Sequence, residues 1–176
     1  MTATKIQVNR APVLTLWAAV VAERLGFNHD EALSLGKAVA GLTAQSKGRR
    51  LGIFKPTLKE LKKARERERG EEFSVDLLGR ALPAVNTDEG VRAATKSGPI
   101  APETVERYLE SKFGEALPEA RKAMMELASA LDPDELAQQG FSLYEQFRPQ
   151  IPEGVSGWGA KGELDLGRIR KLAVEK

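Results

Sequence analysis

Apolar residues recur at three- and four-residue intervals along most of this chain, and helix start and stop signals bracket the runs they form. The first run, Ala11 to Leu25, has Pro12 at an early helical position and stops at Gly26. With Lys5 and Arg10 ahead of it, the run has the outline of a secretory leader. Its continuation through Glu23, Arg24 and Leu25 favours a buried core helix, and it falls short of the ~20 apolar residues a bilayer span needs. Asn28 and Glu31 then have capping-box spacing and open a second helix running to about Ser46. Ala32, Gly36 and Ala40 lie four apart on one face of it, so a neighbouring helix can approach closely. The two helices are expected to form a tight hairpin.

Further along, Thr57 and Glu60 open a charged helix that ends near Gly70. Ser74 and Asp76 are read as opening a short helix through Leu77, Leu78 and Leu82, and Thr87 as opening another that Gly98 closes. Pro102 starts a helix whose apolar side is Val105, Tyr108, Leu109 and Phe113. Pro118 starts the next, with Leu117, Ala120, Met124, Leu127 and Leu131 in one stripe. Asp132, Pro133 and Glu135 supply an N-cap, a first-turn proline and a capping-box acid for a helix through Leu136, Leu143, Tyr144 and Phe147. Periodicity vanishes from Pro149 to Gly162 and returns for a last helix over 165–174.

This pattern predicts an all-α protein, an irregular orthogonal bundle of about eight or nine helices with a Gly/Pro-rich loop before the C-terminal helix. The bundle covers 1–148, with a division into subdomains 1–70 and 71–148 left open. The loop and last helix make up 149–176.

Composition narrows the chemistry. The 176 residues contain no cysteine and one histidine, His29, which removes thiolate nucleophiles, Cys-ligated metals and multi-histidine sites. The absence of cysteine fits a reducing compartment, and a cytoplasmic location is the expectation. Glu106 and Glu110 have the four-residue spacing of a bundle metal site but lack the Glu-x-x-His partners such sites use. Gly157, Gly159 and Gly162 satisfy G-x-G-x-x-G without a preceding strand signal. Ala160 stands where a phosphate loop needs lysine. The outline of a helix-turn-helix over Thr87 to Phe113 has too acidic a second helix to read DNA, so an ordinary helix hairpin is preferred. No catalytic residue, metal or cofactor is assigned.

Charge changes the picture more than any motif. The net charge is only +2, yet residues 47–69 hold ten basic residues against three acidic ones, a local +7, while residues 70–176 are net acidic. Such density attracts polyanions, because each neutralised phosphate releases counterions. The expectation is a non-enzymatic binding or regulatory protein contacting nucleic acid, or another acidic surface, through Lys47, Arg49, Arg50, Lys55, Lys59, Lys62 and Lys63. Trp158 and Lys161, in the glycine-rich loop, are candidates for docking a partner. The alternative is a helical interaction module or homo-oligomer whose basic segment meets the acidic surface of a neighbouring chain. A third reading is a small enzyme using carboxylates alone. No membrane partner is expected.

Overall fold

A computed structural model describes residues 5–45, 72–78, 80–95, 98–149 and 161–175. Among these residues are six α-helices, α1 (Arg10–Leu25), α2 (His29–Gln45), α3 (Pro102–Phe113), α4 (Leu117–Ser129), α5 (Pro133–Phe147) and α6 (Leu166–Glu175). There are also six strands, β1 (Lys5–Asn9), β2 (Glu72–Leu77), β3 (Arg80–Thr87), β4 (Gly90–Thr95), β5 (Gly98–Pro99) and β6 (Lys161–Asp165).

The helical core follows the sequence pattern. Every residue of α1 from Pro12 to Ala22 is buried, as expected of a helix apolar on all sides. Gly26 at φ 118° ends it in the left-handed conformation that glycine adopts without a Cβ penalty. The capping box of α2 forms: Asn28 Oδ1 accepts from the Glu31 amide at 2.8 Å, and Glu31 Oε1 accepts from the Asn28 amide at 3.0 Å. At Gly36 a Cβ would lie 2.7 Å from the Thr15 carbonyl oxygen and 2.9 Å from the Ala19 nitrogen, so α1 and α2 touch backbone to backbone. Leu117, Ala120, Met124, Leu127 and Leu131 are buried along α4, and Leu136, Leu143, Tyr144 and Phe147 along α5. Trp17 lies at the centre, fully buried, edge-on to Phe147 at 5.3 Å between ring centroids.

The expectation of an all-α orthogonal bundle of eight or nine helices is overturned by two antiparallel sheets. Residues 74–98, read as two short helices, form most of a four-stranded sheet in the order β2-β3-β4-β5. Their buried apolar positions, Val75, Leu77, Leu82, Ala84, Val91 and Ala93, alternate with period two. The helical reading grouped Leu77, Leu78 and Leu82 across what is in fact a strand-to-strand turn. Leu78 occupies that turn at φ 52°. Pro83 pairs with Ser74 just beyond the ladder between β3 and β4, which starts at Ala84↔Ala93, so its missing amide interrupts no bond to β4. The same strands overturn both the helix-turn-helix outline and the helix hairpin preferred to it.

The second sheet pairs β1 with β6, from Lys5↔Asp165 to Asn9↔Lys161, and buries Val8 and Leu164. It joins the two ends of the described chain. Residues 161–165 had been read as the end of a loop and the start of a helix. Pairing with a strand more than 150 residues away leaves no local trace.

Candidate functional site

The basic residues Lys47, Arg49, Arg50, Lys55, Lys59, Lys62 and Lys63 lie outside the described residues, as does Trp158. Lys161 begins β6, opposite Asn9.

Since α1 and α2 are antiparallel and Gly36 seats against Thr15 and Ala19, the C-terminal end of α2 lies beside the start of α1. Arg10 marks this end of the bundle. There the Arg10 Nε donates to the Pro149 carbonyl at 3.0 Å, next to Arg148, and the Tyr144 hydroxyl donates to the Arg10 carbonyl at 3.3 Å. Neither Arg10 nor Arg148 forms an ion pair with a carboxylate among the described residues. Burial lowers the Arg10 pKa, and the positive charge of Arg148 lowers it further. Burial also pushes the Tyr144 phenol up to about 12.

A second cationic cluster lies between α2 and α3. Lys37 Nζ sits 3.7 Å above the centroid of the Tyr108 ring, and Lys112 Nζ lies 6.0 Å from the same centroid. Burial lowers the Lys37 pKa and raises that of Tyr108, and Lys112 pushes Lys37 further down.

Acidic groups gather elsewhere. Glu106 on α3 holds Arg121 on α4 through two hydrogen bonds, at 3.2 and 2.9 Å. This pair borders an open groove of about 920 Å³ lined by Glu110, Glu115, Lys122, Met125 and Glu126. Met125 is 46% exposed there, one of two large hydrophobic side chains exposed among the described residues. Glu106 and Glu110 also face a smaller depression of about 300 Å³ that includes His29, Glu103 and Arg107. His29 Nδ1 lies 3.6 Å from Glu23 Oε2. Because Glu106 is held by Arg121, the four-residue spacing of Glu106 and Glu110 serves a cross-helix ion pair on one side and an acidic rim on the other.

Sequence reasoning missed a buried polar seam between α2 and β4. Glu31 Oε2 accepts from the Val91 amide at 2.9 Å, and Ser34 Oγ accepts from the Ala93 amide at 2.9 Å while donating to the Ile100 carbonyl at 2.9 Å. Two side chains one helical turn apart thereby satisfy backbone amides along β4. The capping-box signal identified Glu31 but gave no sign of this second contact. Arg92, 4% exposed, donates through Nη1 to the Val91 carbonyl at 2.9 Å. These buried groups hold the sheet to the helices.

The chain matches no known protein family, no curated protein and no solved structure. Among the described residues, no helix is long and apolar enough to cross a membrane.

Proposed function

We propose that this protein is a non-enzymatic, cytoplasmic polyanion-binding protein that contacts nucleic acid through segment 47–69. One observation carries the reading. Ten basic residues stand against three acidic ones in that segment, within a chain whose overall charge is only +2. Arg10 and Arg148 add two guanidinium groups without carboxylate partners among the described residues. Positive charge positions a phosphate backbone without reading its sequence.

Substituting Arg49, Arg50, Lys62 and Lys63 by Glu tests the reading. The unsubstituted protein is expected to retain DNA or RNA at low salt, seen as a raised 260/280 nm absorbance ratio that a high-salt wash removes. The fourfold variant is expected to lose that retention. Equal retention by both proteins ends the proposal.

A second reading is favoured by the acidic groove between α3 and α4. Four glutamates and the exposed Met125 line it against two cations, a charge complement for the basic segment of a second copy of this chain. Salt-sensitive self-association in sedimentation, without nucleic-acid retention, supports this reading over the first. It fails if the protein stays monomeric at low salt.

A further inference from the structure

Lys37, Tyr108 and Lys112 meet where α2 packs on α3, with the Tyr108 ring resting on the core. Lys37 is half-buried on α2, yet its ammonium, with three donors, makes no hydrogen bond and no ion pair among the described residues. Placing an ammonium partly out of water without an acceptor is unfavourable. The Tyr108 ring face offsets part of that cost. Lys112 adds a second positive charge beside the same ring, which works against Lys37. The Tyr108 hydroxyl likewise has no hydrogen-bond partner among the described residues.

Helix geometry keeps the nearby acids away. On α3, Tyr108 and Lys112 are one turn apart on a single stripe, whereas Glu106 and Glu110 are each two residues from Tyr108 and project from the opposite side, toward the groove shared with α4. Asp30 on α2 lies two turns before Lys37 and lines the smaller depression with His29 and Glu103. Glu115 follows the end of α3 and lines the large groove. The result is two ammonium groups beside one phenol ring, without a carboxylate partner among the described residues.

We propose that Lys37, Tyr108 and Lys112 form a receiving site for a phosphate group. A phosphate dianion supplies the acceptor oxygens that all three groups lack, and it turns the Lys37–Lys112 repulsion into shared attraction through charge-assisted hydrogen bonds. This proposal does not depend on the nucleic-acid reading.

The test follows the ε-methylene NMR signals of ¹³C-lysine-labelled full-length protein, with Lys37 and Lys112 assigned through K37R and K112R. Inorganic phosphate, adenosine 5′-monophosphate and dimethyl phosphate are titrated at constant ionic strength, with adenosine and chloride as controls. Saturable shifts of both lysine signals with the phosphate probes, and none with the controls, are expected. Either K37M or K112M is expected to weaken binding by about tenfold or more, as loss of a charge-assisted hydrogen bond implies. Because Lys112 is exposed, K112M provides a test even if K37M disturbs folding. Y108F is expected to weaken binding by a smaller factor, while K122M and the fourfold Glu variant of segment 47–69 leave it unchanged. Stronger binding of the monoester than of dimethyl phosphate assigns the site to a terminal phosphate; equal binding assigns it to a backbone diester. Shifts that do not saturate, or that chloride reproduces, overturn the proposal and leave a structural cation–π contact only. So does unchanged affinity in K112M.

Discussion

The indole Nε1 of Trp17 donates a buried 2.8 Å hydrogen bond to the carbonyl of Gly140, tying the central helix to α5 across 123 residues of sequence. The same glycine receives the side chain of Leu78 against its Cα, so one position joins α1, α5 and the turn between β2 and β3. Replacing Trp17 with Phe removes the donor, leaves the Gly140 carbonyl only its bond within the α5 ladder and opens a void. Urea unfolding is expected to show a loss of about 2–4 kcal/mol. For Gly140→Ala, whose Cβ overlaps Leu78, the expected loss is about 1–3 kcal/mol. Adding Leu78→Ala to Gly140→Ala should cost less than the sum of the two single changes, because the overlap is then gone.

The two glycines of α2 should respond with opposite signs. A methyl group at Gly36 meets the backbone of α1, which cannot rotate away, so Gly36→Ala should destabilise by about 1–3 kcal/mol or more. At Gly41 nothing lies within 4 Å, and Gly41→Ala should stabilise by about 0.5–1 kcal/mol through helix propensity. Thermal or chemical denaturation of the two variants checks both signs.

Ser34→Ala removes the hydroxyl that bridges the Ala93 amide and the Ile100 carbonyl. The buried Ala93 amide then has no partner from α2, and the expected cost is about 1–3 kcal/mol. Hydrogen exchange should locate the effect: the Ala93 amide loses protection, whereas amides within α4 and α5 exchange as before.

Asp132 caps α5 by accepting from the Glu135 amide at 2.9 Å, and hydrogen bonds to Glu135 hold its pKa below the ordinary carboxylate value. A depressed folded-state pKa means that this stabilisation is complete above the unfolded value of about 4 and is lost as pH falls through the lower folded value. Asp132→Asn keeps an N-cap acceptor but does not titrate. Its stability relative to the parent should therefore change across the acid range and stay constant between about pH 6 and 8. A constant difference down to the acid transition would argue against the cap's role.

Tyr144 has the opposite sign. Its folded pKa, about 12, exceeds the ordinary value of about 10, so the stabilisation is complete below pH ~10 and is lost as pH rises toward 12. Absorbance at 295 nm should show Tyr144 ionising only near its raised value or on unfolding. Tyr144→Phe should flatten the alkaline limb of the stability profile.

What could be read from the chain in advance divides along a physical line. Helix starts and stops are local: Asn28 with Glu31, Asp132 with Glu135, and Gly26 each act within one turn, and each forms as its spacing implies. The stripes of α4 and α5, and the close approach at Gly36, are likewise properties of a single helix that its own periodicity reveals.

The sheets were not legible in the same way. Val75, Leu77, Leu82 and Ala84 occupy runs too short to separate a period of two from one of three to four, and β1 and β6 become strands only by pairing with each other from opposite ends of the chain. The concentration of positive charge in 47–69 is likewise plain in the sequence, because charge is counted residue by residue. That Lys37 meets Tyr108 and Lys112, that Arg10 meets Arg148, and that Glu31 and Ser34 reach β4 was decided only by tertiary packing. These contacts join residues far apart in the chain, and nothing in the spacing along it encodes which distant side chain a given group will face.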